Sequence, residues 1–217
     1  MQATDVIDSD TPSIREKALS LTQGKESDRE KAIVLYYFVR DSVRHEPYAT
    51  GFELEDYKAS GTLQKGCGFC THKSILLVAL ARAAGIPGRI GFADIRDHLL
   101  SYKFRKIIGG GNLLIYHGYA ELRIDGRWVH ASPAVDAEAC RQNGFVPVEF
   151  DGVNDFKDSE YNKKGRKHIE WVQDRGTYED FPWDEIRAAA QEFWAKLGKS
   201  FEEAVGKGWR GKPEGEG

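Results

Sequence analysis

The sequence has few cysteines, no long apolar run and no evident targeting segment, and each absence narrows the classes of protein it can be. Only three of the 217 residues are cysteine, an odd and low number that argues against a disulfide framework. No stretch approaches the ~18 consecutive apolar residues of a membrane helix. The N-terminal residues lack the basic and apolar regions of a signal peptide. We therefore expect no membrane association and a reducing, cytoplasmic location, although a chain from which a signal peptide had been removed would look the same.

An excess of charge of one sign is also missing. The formal net charge is -3, whereas proteins that bind nucleic acid normally carry a basic patch or a high isoelectric point. We therefore expect no nucleic-acid partner. The short basic run at residues 163–167 is typical of a solvated loop. The composition, 41% hydrophobic, 12% aromatic and 30% charged, is ordinary for a globular protein whose length allows a substantial core.

The first part of the chain predicts helices and the later part predicts antiparallel strands. Ser27 and Glu30 form a capping box, which begins a helix that runs to about Arg44. An Asp-Gly pair at residues 125–126 separates two alternating runs and indicates a β-hairpin. The remaining pattern predicts a helix from about residue 11 to 23, hairpin strands at 114–124 and 127–131, further strands at 89–93 and 168–173, and a final amphipathic helix from about Trp183 to Ala204.

Helices followed by antiparallel strands indicate the α+β class. We expect a single domain over residues 1–205. The end of the chain, residues 206–217, is rich in Gly, Lys and Glu. That composition predicts a disordered tail.

Most of the chemical information lies in residues 66–89. A glycine-punctuated loop delivers Cys70 to the first turn of a helix, and residues 75–84 are apolar almost all round, so we expect that helix to be buried. Gly85 predicts the C-terminal end of the helix, and Pro87 prevents its continuation. A thiol at a helix N-terminus has a lowered pKa, because the helix dipole and the free N–H groups favour thiolate. Cys70 is therefore a candidate nucleophile.

These residues resemble the transglutaminase-like superfamily of papain-type cysteine enzymes. In that family the nucleophilic Cys opens a buried helix and stands fifteen residues before a Gly-Ile-Pro turn, as Cys70 does before residues 85–87. The second family element is a His on a strand, followed by a hairpin with a Gly-x-Trp return. His117 and residues 126–128 match it. The resemblance covers roughly residues 30–135.

The resemblance implies a papain/transglutaminase-like fold, with the Cys70 helix packed on an antiparallel sheet that carries His117. It implies cysteine-dependent acyl transfer at an amide, in which the Cys70 thiolate attacks a peptide or other amide substrate and His117 protonates the leaving amine. Hydrolysis by a peptidase or amidase is the favoured reaction. A protein-glutamine transglutaminase or amide synthase is one alternative, and a non-catalytic binding module that keeps the fold is another. No metal or organic cofactor is needed, and the calcium sites of some animal relatives have no visible counterpart.

A papain-type histidine needs a third group that fixes its tautomer and orientation. Where the family usually has Asp before Pro, this chain has Ser132, which is short and neutral. If the hairpin turn lies at residues 125–126, Ser132 and Asp136 become the diagonal neighbours of His117. Asp136 has the required charge, so we predict it as the third catalytic residue, with Asp151 as the next candidate.

Cys67 and Cys70 form a Cys-x-x-Cys motif, which also occurs in dithiol redox proteins and in halves of zinc sites. No preceding strand of a thioredoxin-like unit is predicted, and His72, His98 and Cys140 show no metal-ligand spacing. We therefore interpret Cys67 as a structural thiol, or as one that reversibly protects Cys70.

Overall fold

The computed structural model describes residues 1–46, 51–155 and 157–198. The predicted tail at 206–217 and the predicted end of the last helix lie outside these residues. No helix in the described ranges is both long and apolar enough to cross a bilayer.

The described residues form helices packed on one four-stranded antiparallel sheet, which confirms the α+β class. The helices are α1 (Pro12–Thr22), α2 (Asp28–Ser42), α3 (Ala59–Lys65), α4 (Cys70–Ala83), α5 (Tyr102–Ile107), α6 (Ala137–Asn143) and α7 (Trp183–Lys196), with a 3-10 turn at Leu54–Tyr57. The strands are β1 (Arg44–His45), β2 (Cys67–Gly68), β3 (Gly88–Asp97), β4 (Leu113–Ile124), β5 (Arg127–Ala131) and β6 (Ile169–Tyr178). The sheet order is β5-β4-β3-β6, while β1 and β2 form a separate parallel pair.

Helix α4 lies at the centre of the molecule, as its apolar sequence predicts. Every residue from Thr71 to Ala81 is buried, and the helix contacts α1, α2 and α3 as well as β3 and β4. Even Lys73 is fully buried, and its Nζ donates a hydrogen bond to the Arg40 carbonyl at 2.9 Å. A helix enclosed on all sides holds its N-terminal residue, Cys70, in a fixed position.

The β4–β5 hairpin has the predicted register. Ala120 pairs with Ala131 and Leu122 pairs with Val129, so paired residue numbers sum to 251 as a two-residue turn requires. Ala120, Leu122 and Val129 belong to the core that packs around α4. The hairpin therefore places β4, with His117, directly beside the helix that begins at Cys70.

Two short helices, α5 and α6, lie outside the helices that the sequence predicted. Ser101 accepts a hydrogen bond from the Phe104 backbone N–H at 3.2 Å and begins α5. Asp136 accepts one from the Ala139 N–H at 2.7 Å and begins α6. Capping side chains, rather than apolar periodicity, specify these helices. Both of them border the cleft described below.

Candidate active site

A close approach between α4 and β4 brings the first turn of the helix against the strand. A Cβ atom placed on Gly118 would lie 2.8 Å from the Cα of Thr71, closer than packed atoms approach, so only glycine permits this contact. Ser74 Oγ donates to the Gly118 carbonyl at 3.1 Å. The Gly118 backbone also lowers the pKa of the Cys70 thiol. The contact thus places the thiol beside the strand that carries His117.

A β-bulge lies immediately before His117. The pairing of β3 with β4 shifts between Ala93 and Ile95, and Tyr116 has a φ of 53°, in the left-handed region that non-glycine residues seldom occupy. The Tyr116 N–H donates to Asp94 Oδ1 at 3.2 Å. Arg175 donates to both oxygens of Asp94, at 3.0 and 2.6 Å. Bulges commonly redirect a side chain beside a functional site, and here a partly buried ion pair between Arg175 and Asp94 holds the bulge in place.

The imidazole of His117 lies between a thiol and a carboxylate. Its Nε2 is 3.2 Å from Asp158 Oδ2, and the charge of Cys70 also acts on the pKa of the imidazole. With Nε2 engaged by Asp158, Nδ1 is the nitrogen that can face the thiol. Ser132 Oγ donates to the same Asp158 oxygen at 2.9 Å. The arrangement is a continuous chain from Cys70 through His117 to Asp158 and Ser132.

The surroundings of Cys70, His117 and Asp158 favour a thiolate–imidazolium pair. Burial alone raises the pKa of Cys70, but the positive charge of His117 and hydrogen bonds to the sulfur outweigh it, so the thiol pKa is lowered. Burial alone lowers the pKa of His117, but the charge of Cys70 and the hydrogen bond to Asp158 raise it well above its ordinary value. Burial raises the pKa of Asp158, and the contact with His117 reverses that shift. Each charge is therefore stabilised by its neighbour.

Two other histidines near the cleft contrast with His117. Burial lowers the pKa of His45 to about 4 and that of His72 to about 3. His45 Nδ1 lies 3.0 Å from the Ala134 carbonyl and must donate to it. Both imidazoles are therefore neutral near pH 7, and in the described part of the chain neither ring is hydrogen-bonded to a carboxylate as that of His117 is.

The structure places Asp136 away from the position predicted for it. Its Oδ1 accepts from the Ala139 N–H at 2.7 Å and its Oδ2 accepts from the His45 N–H at 3.1 Å, so both oxygens cap backbone groups. The prediction that Asp136 lies beside His117 is wrong, because the β4–β5 pairing ends at Ala131 and the hairpin register does not continue to residue 136.

The other two candidates for the third group have different positions. Asp151 is turned toward the backbone N–H groups of Val153 and Asn154 and shares no contact with His117. Ser132 does lie at the site, but it acts on Asp158 rather than on the imidazole. Sequence reasoning missed Asp158, which stands in an irregular segment between α6 and β6. The only available signal was chemical, since a neutral Ser132 leaves an imidazolium in need of a carboxylate from elsewhere.

A cleft of about 550 Å³ opens at the thiol. Cys70, His117 and Asp158 line it, and most of its wall is aromatic or aliphatic, with Phe52 and Trp183 among the lining residues. Such a cleft excludes water from parts of a bound ligand and strengthens the electrostatic interactions inside it.

The three thiols are free, and Cys67 and Cys140 are buried. Cys67 lies on the two-residue strand β2, and its role as a structural or protective thiol stays a prediction. In the ranges that the structure describes, no group of three or more His, Cys, Asp or Glu side chains is arranged to hold a metal ion.

Comparison with known proteins gives one family match. The model of the transglutaminase-like superfamily matches residues 15–133. No curated protein matches this sequence. Among solved structures, a candidate protease from Parabacteroides distasonis is 17% identical with a TM-score of 0.40, over 55% of this chain and 22% of that one. A candidate cysteine protease from Cytophaga hutchinsonii is 19% identical with a TM-score of 0.47, over 79% of this chain and 61% of that one. The chain thus spans less than two thirds of either structure.

Proposed function

Since the chain belongs to the transglutaminase-like superfamily, we propose that it performs cysteine-dependent acyl transfer at an amide bond, with Cys70, His117 and Asp158 as the catalytic groups. The observation that carries the proposal is the His117 imidazole, which is hydrogen-bonded to the Asp158 carboxylate and whose charge lowers the pKa of the Cys70 thiol. Nucleophile, base and orienting group stand in the order that activation of a nucleophile requires.

In the first half of the reaction the Cys70 thiolate attacks the carbonyl carbon of the amide and forms a tetrahedral adduct. The imidazolium of His117 then gives its proton to the leaving nitrogen as the C–N bond breaks, and a thioester remains on Cys70. In the second half, neutral His117 takes a proton from the acceptor as it attacks the thioester. Asp158 keeps the imidazole oriented and stabilises its charged form.

The backbone offers a donor for the developing oxyanion. Cys70 is the first residue of α4, so its N–H has no partner within the helix. We propose that this N–H donates to the oxyanion of the tetrahedral adduct, where the helix dipole adds further stabilisation. The backbone of Gly118 lowers the pKa of the thiol and so favours the thiolate before attack.

Water is the acceptor we propose, which makes the net reaction hydrolysis. Water needs no binding site of its own, whereas an amine acceptor must be held about 3 Å from the thioester carbon. Transfer to an amine remains the second candidate reaction, because the first half-reaction is the same. The presence of Asp158 beside His117 supports catalysis over the non-catalytic alternative, which rested on the neutral Ser132.

Incubation with a library of peptide amides, with and without hydroxylamine, tests the proposal. We expect release of free carboxylate in water and formation of hydroxamate with hydroxylamine, because both acceptors would consume the same thioester. Cys70→Ser should abolish both products and the matched variant Cys67→Ser should retain both. Loss of activity in Cys67→Ser together with activity in Cys70→Ser would contradict the proposal. An amide product formed only with a specific amine would identify a transferase.

A further inference from the structure

Tyr116, the residue before His117, has a backbone conformation that its place in a strand does not explain. Its φ of 53° lies in the left-handed region. Among the described residues other than glycine, only Asp125 shares this region, and Asp125 lies in the two-residue β4–β5 turn, where a positive φ is ordinary. Tyr116 lies inside β4. Non-glycine residues keep such a conformation only where their surroundings hold them, and they cluster at active sites.

The β-bulge of β4 is centred on this residue. Two residues of β4, 115 and 116, oppose the single residue Asp94 of β3, and the Tyr116 N–H donates to the Asp94 carboxylate. Because the bulge shifts the strand pairing by one residue, its loss would turn side chains of β4 to the opposite face of the sheet. The direction of the next side chain, His117, therefore depends on the conformation of Tyr116.

Charged residues hold the side chain of Tyr116 at both ends. The residue is only 6% exposed. The Arg175 guanidinium lies over its ring, 5.0 Å from the ring centroid, and also pairs with Asp94. At the far end, the Tyr116 hydroxyl donates to Glu185 Oε1 at 2.7 Å. Contacts to the backbone, the ring and the hydroxyl thus account for the persistence of a strained conformation.

Glu185 connects Tyr116 to one wall of the cleft. It lies in the first turn of α7, and α7 residues such as Trp183 and Trp194 line the cleft together with Tyr116. Tyr178, at the end of β6, also donates to Glu185 Oε1, at 2.9 Å. Glu185 is exposed, so it can be substituted without disturbing the core. The acyl-transfer chemistry proposed above gives Tyr116 and Glu185 no role.

We propose that Tyr116 is a positioning residue for His117 and that Glu185 fixes the orientation of Tyr116 through its hydroxyl. In this conformation the imidazole faces Cys70 and Asp158. The inference rests on the proposed function and adds to it two residues that act through the histidine rather than on the substrate. Because Glu185 belongs to α7, a displacement of this wall of the cleft is transmitted to the imidazole. The orientation of the imidazole then determines how strongly it stabilises the thiolate.

Two tyrosine variants that remove a hydroxyl from the same carboxylate oxygen test the proposal. Tyr116→Phe and Tyr178→Phe each remove one hydrogen bond to Glu185, but only Tyr116 adjoins His117. The pH dependence of Cys70 alkylation by iodoacetamide, followed by mass spectrometry, reports the charge pair without a substrate. We expect the midpoint to rise by about 0.5 pH unit or more in Tyr116→Phe, or about 3-fold less thiolate at a fixed lower pH, and by less than about 0.2 unit in Tyr178→Phe.

Two variants of Glu185 separate position from charge. Glu185→Gln keeps an oxygen that can accept from the Tyr116 hydroxyl and should keep the unmodified profile, whereas Glu185→Ala should shift the midpoint as Tyr116→Phe does. Urea denaturation should show similar losses of stability in the two tyrosine variants, because each loses one hydrogen bond. Stability then cannot account for a difference between their profiles.

Two results would overturn the positioning role while the proposed function stands. One is a midpoint shift in Tyr116→Phe no larger than that in Tyr178→Phe. The other is an equal shift in Glu185→Gln and Glu185→Ala, which would show an effect of charge alone. Failure of iodoacetamide to label Cys70 of the unmodified protein at pH ~6 overturns the proposed function and the positioning role together.

Discussion

The two sides of the His117 imidazole are built in different ways. On one side, Cys70 begins the buried helix α4, and His117 itself stands on β4 of the sheet. On the other side, Asp158 stands in an irregular segment that is tied to its surroundings by single hydrogen bonds. Ser132 Oγ donates to Asp158, and the His130 N–H donates to Asp155 at 2.9 Å. Packing therefore positions the nucleophile and the base. Hydrogen bonds from His130 and Ser132 position the loop that carries the orienting carboxylate.

This difference predicts a ranking of mutational effects. Changes on the helix and strand side should remove the chemistry or separate α4 from β4. Changes on the loop side should leave the thiol and imidazole in place and weaken only their orientation and charge.

Removal of the imidazole should have the largest effect. His117→Ala leaves no group to protonate the leaving nitrogen, and loss of the triad histidine costs on the order of 10⁶ in turnover in a serine protease. We expect turnover of any amide substrate found to fall by more than ~10⁴. The matched control is His72→Gln, which changes another buried histidine near Cys70 and should retain measurable turnover. Comparable loss in both variants would show that the effect is structural.

Asp158→Asn should have the next largest effect. The amide cannot stabilise an imidazolium by charge, and the equivalent change in a serine protease costs ~10⁴. We expect a loss of ~10² to ~10⁴ in turnover. The control Asp136→Asn keeps a helix-capping side chain and should change turnover by less than ~3-fold, since the Asp136 oxygens accept from the backbone N–H groups of Ala139 and His45. If Asp136→Asn were the more damaging change, the assignment of the third group would be wrong.

Gly118→Ala should have an intermediate effect through packing. The added Cβ would lie 2.8 Å from the Thr71 Cα, so the first turn of α4 must move away from β4. Overpacking of this kind costs about 1–3 kcal/mol in the free energy of unfolding. Urea denaturation measures that loss, and the labelling rate of Cys70 at low pH should fall with it. An unchanged denaturation midpoint would show that the two elements separate without cost.

Ser132→Ala should have the smallest effect. It removes one hydrogen bond to Asp158 and leaves the carboxylate beside His117, which corresponds to about 1 kcal/mol or ~5-fold in turnover. Steady-state kinetics of this variant beside Asp158→Asn would separate the two roles. Equal losses would mean that the hydroxyl, rather than the carboxylate, determines the orientation of the imidazole.

The same difference explains which parts of the site could be predicted from the sequence. Helix α4, the β4–β5 hairpin and its register depend on local patterns of apolar residues and turn residues, and the structure has all three. The family match over residues 15–133 also agrees with the predicted resemblance.

Other features depend on contacts between distant segments. The bulge before His117 is held by Arg175 through Asp94, and neither residue has a local pattern that reveals the pairing. Asp158 contacts His117 and Ser132 across 41 and 26 residues of chain. Its flanking sequence has no helical or strand periodicity, so its position could be found only from the folded chain.

The charge state of Cys70 tests the central claim most directly. Alkylation by iodoacetamide should be measured against pH by mass spectrometry, in the unmodified protein and in His117→Ala. The lowered thiol pKa predicts rapid labelling of Cys70 at pH ~6, well below the ordinary thiol pKa of ~8.5. In His117→Ala, burial would act on the thiol pKa without an opposing cation, so the midpoint should move to pH ~8.5 or above. An identical pH profile in both proteins would contradict the thiolate–imidazolium pair.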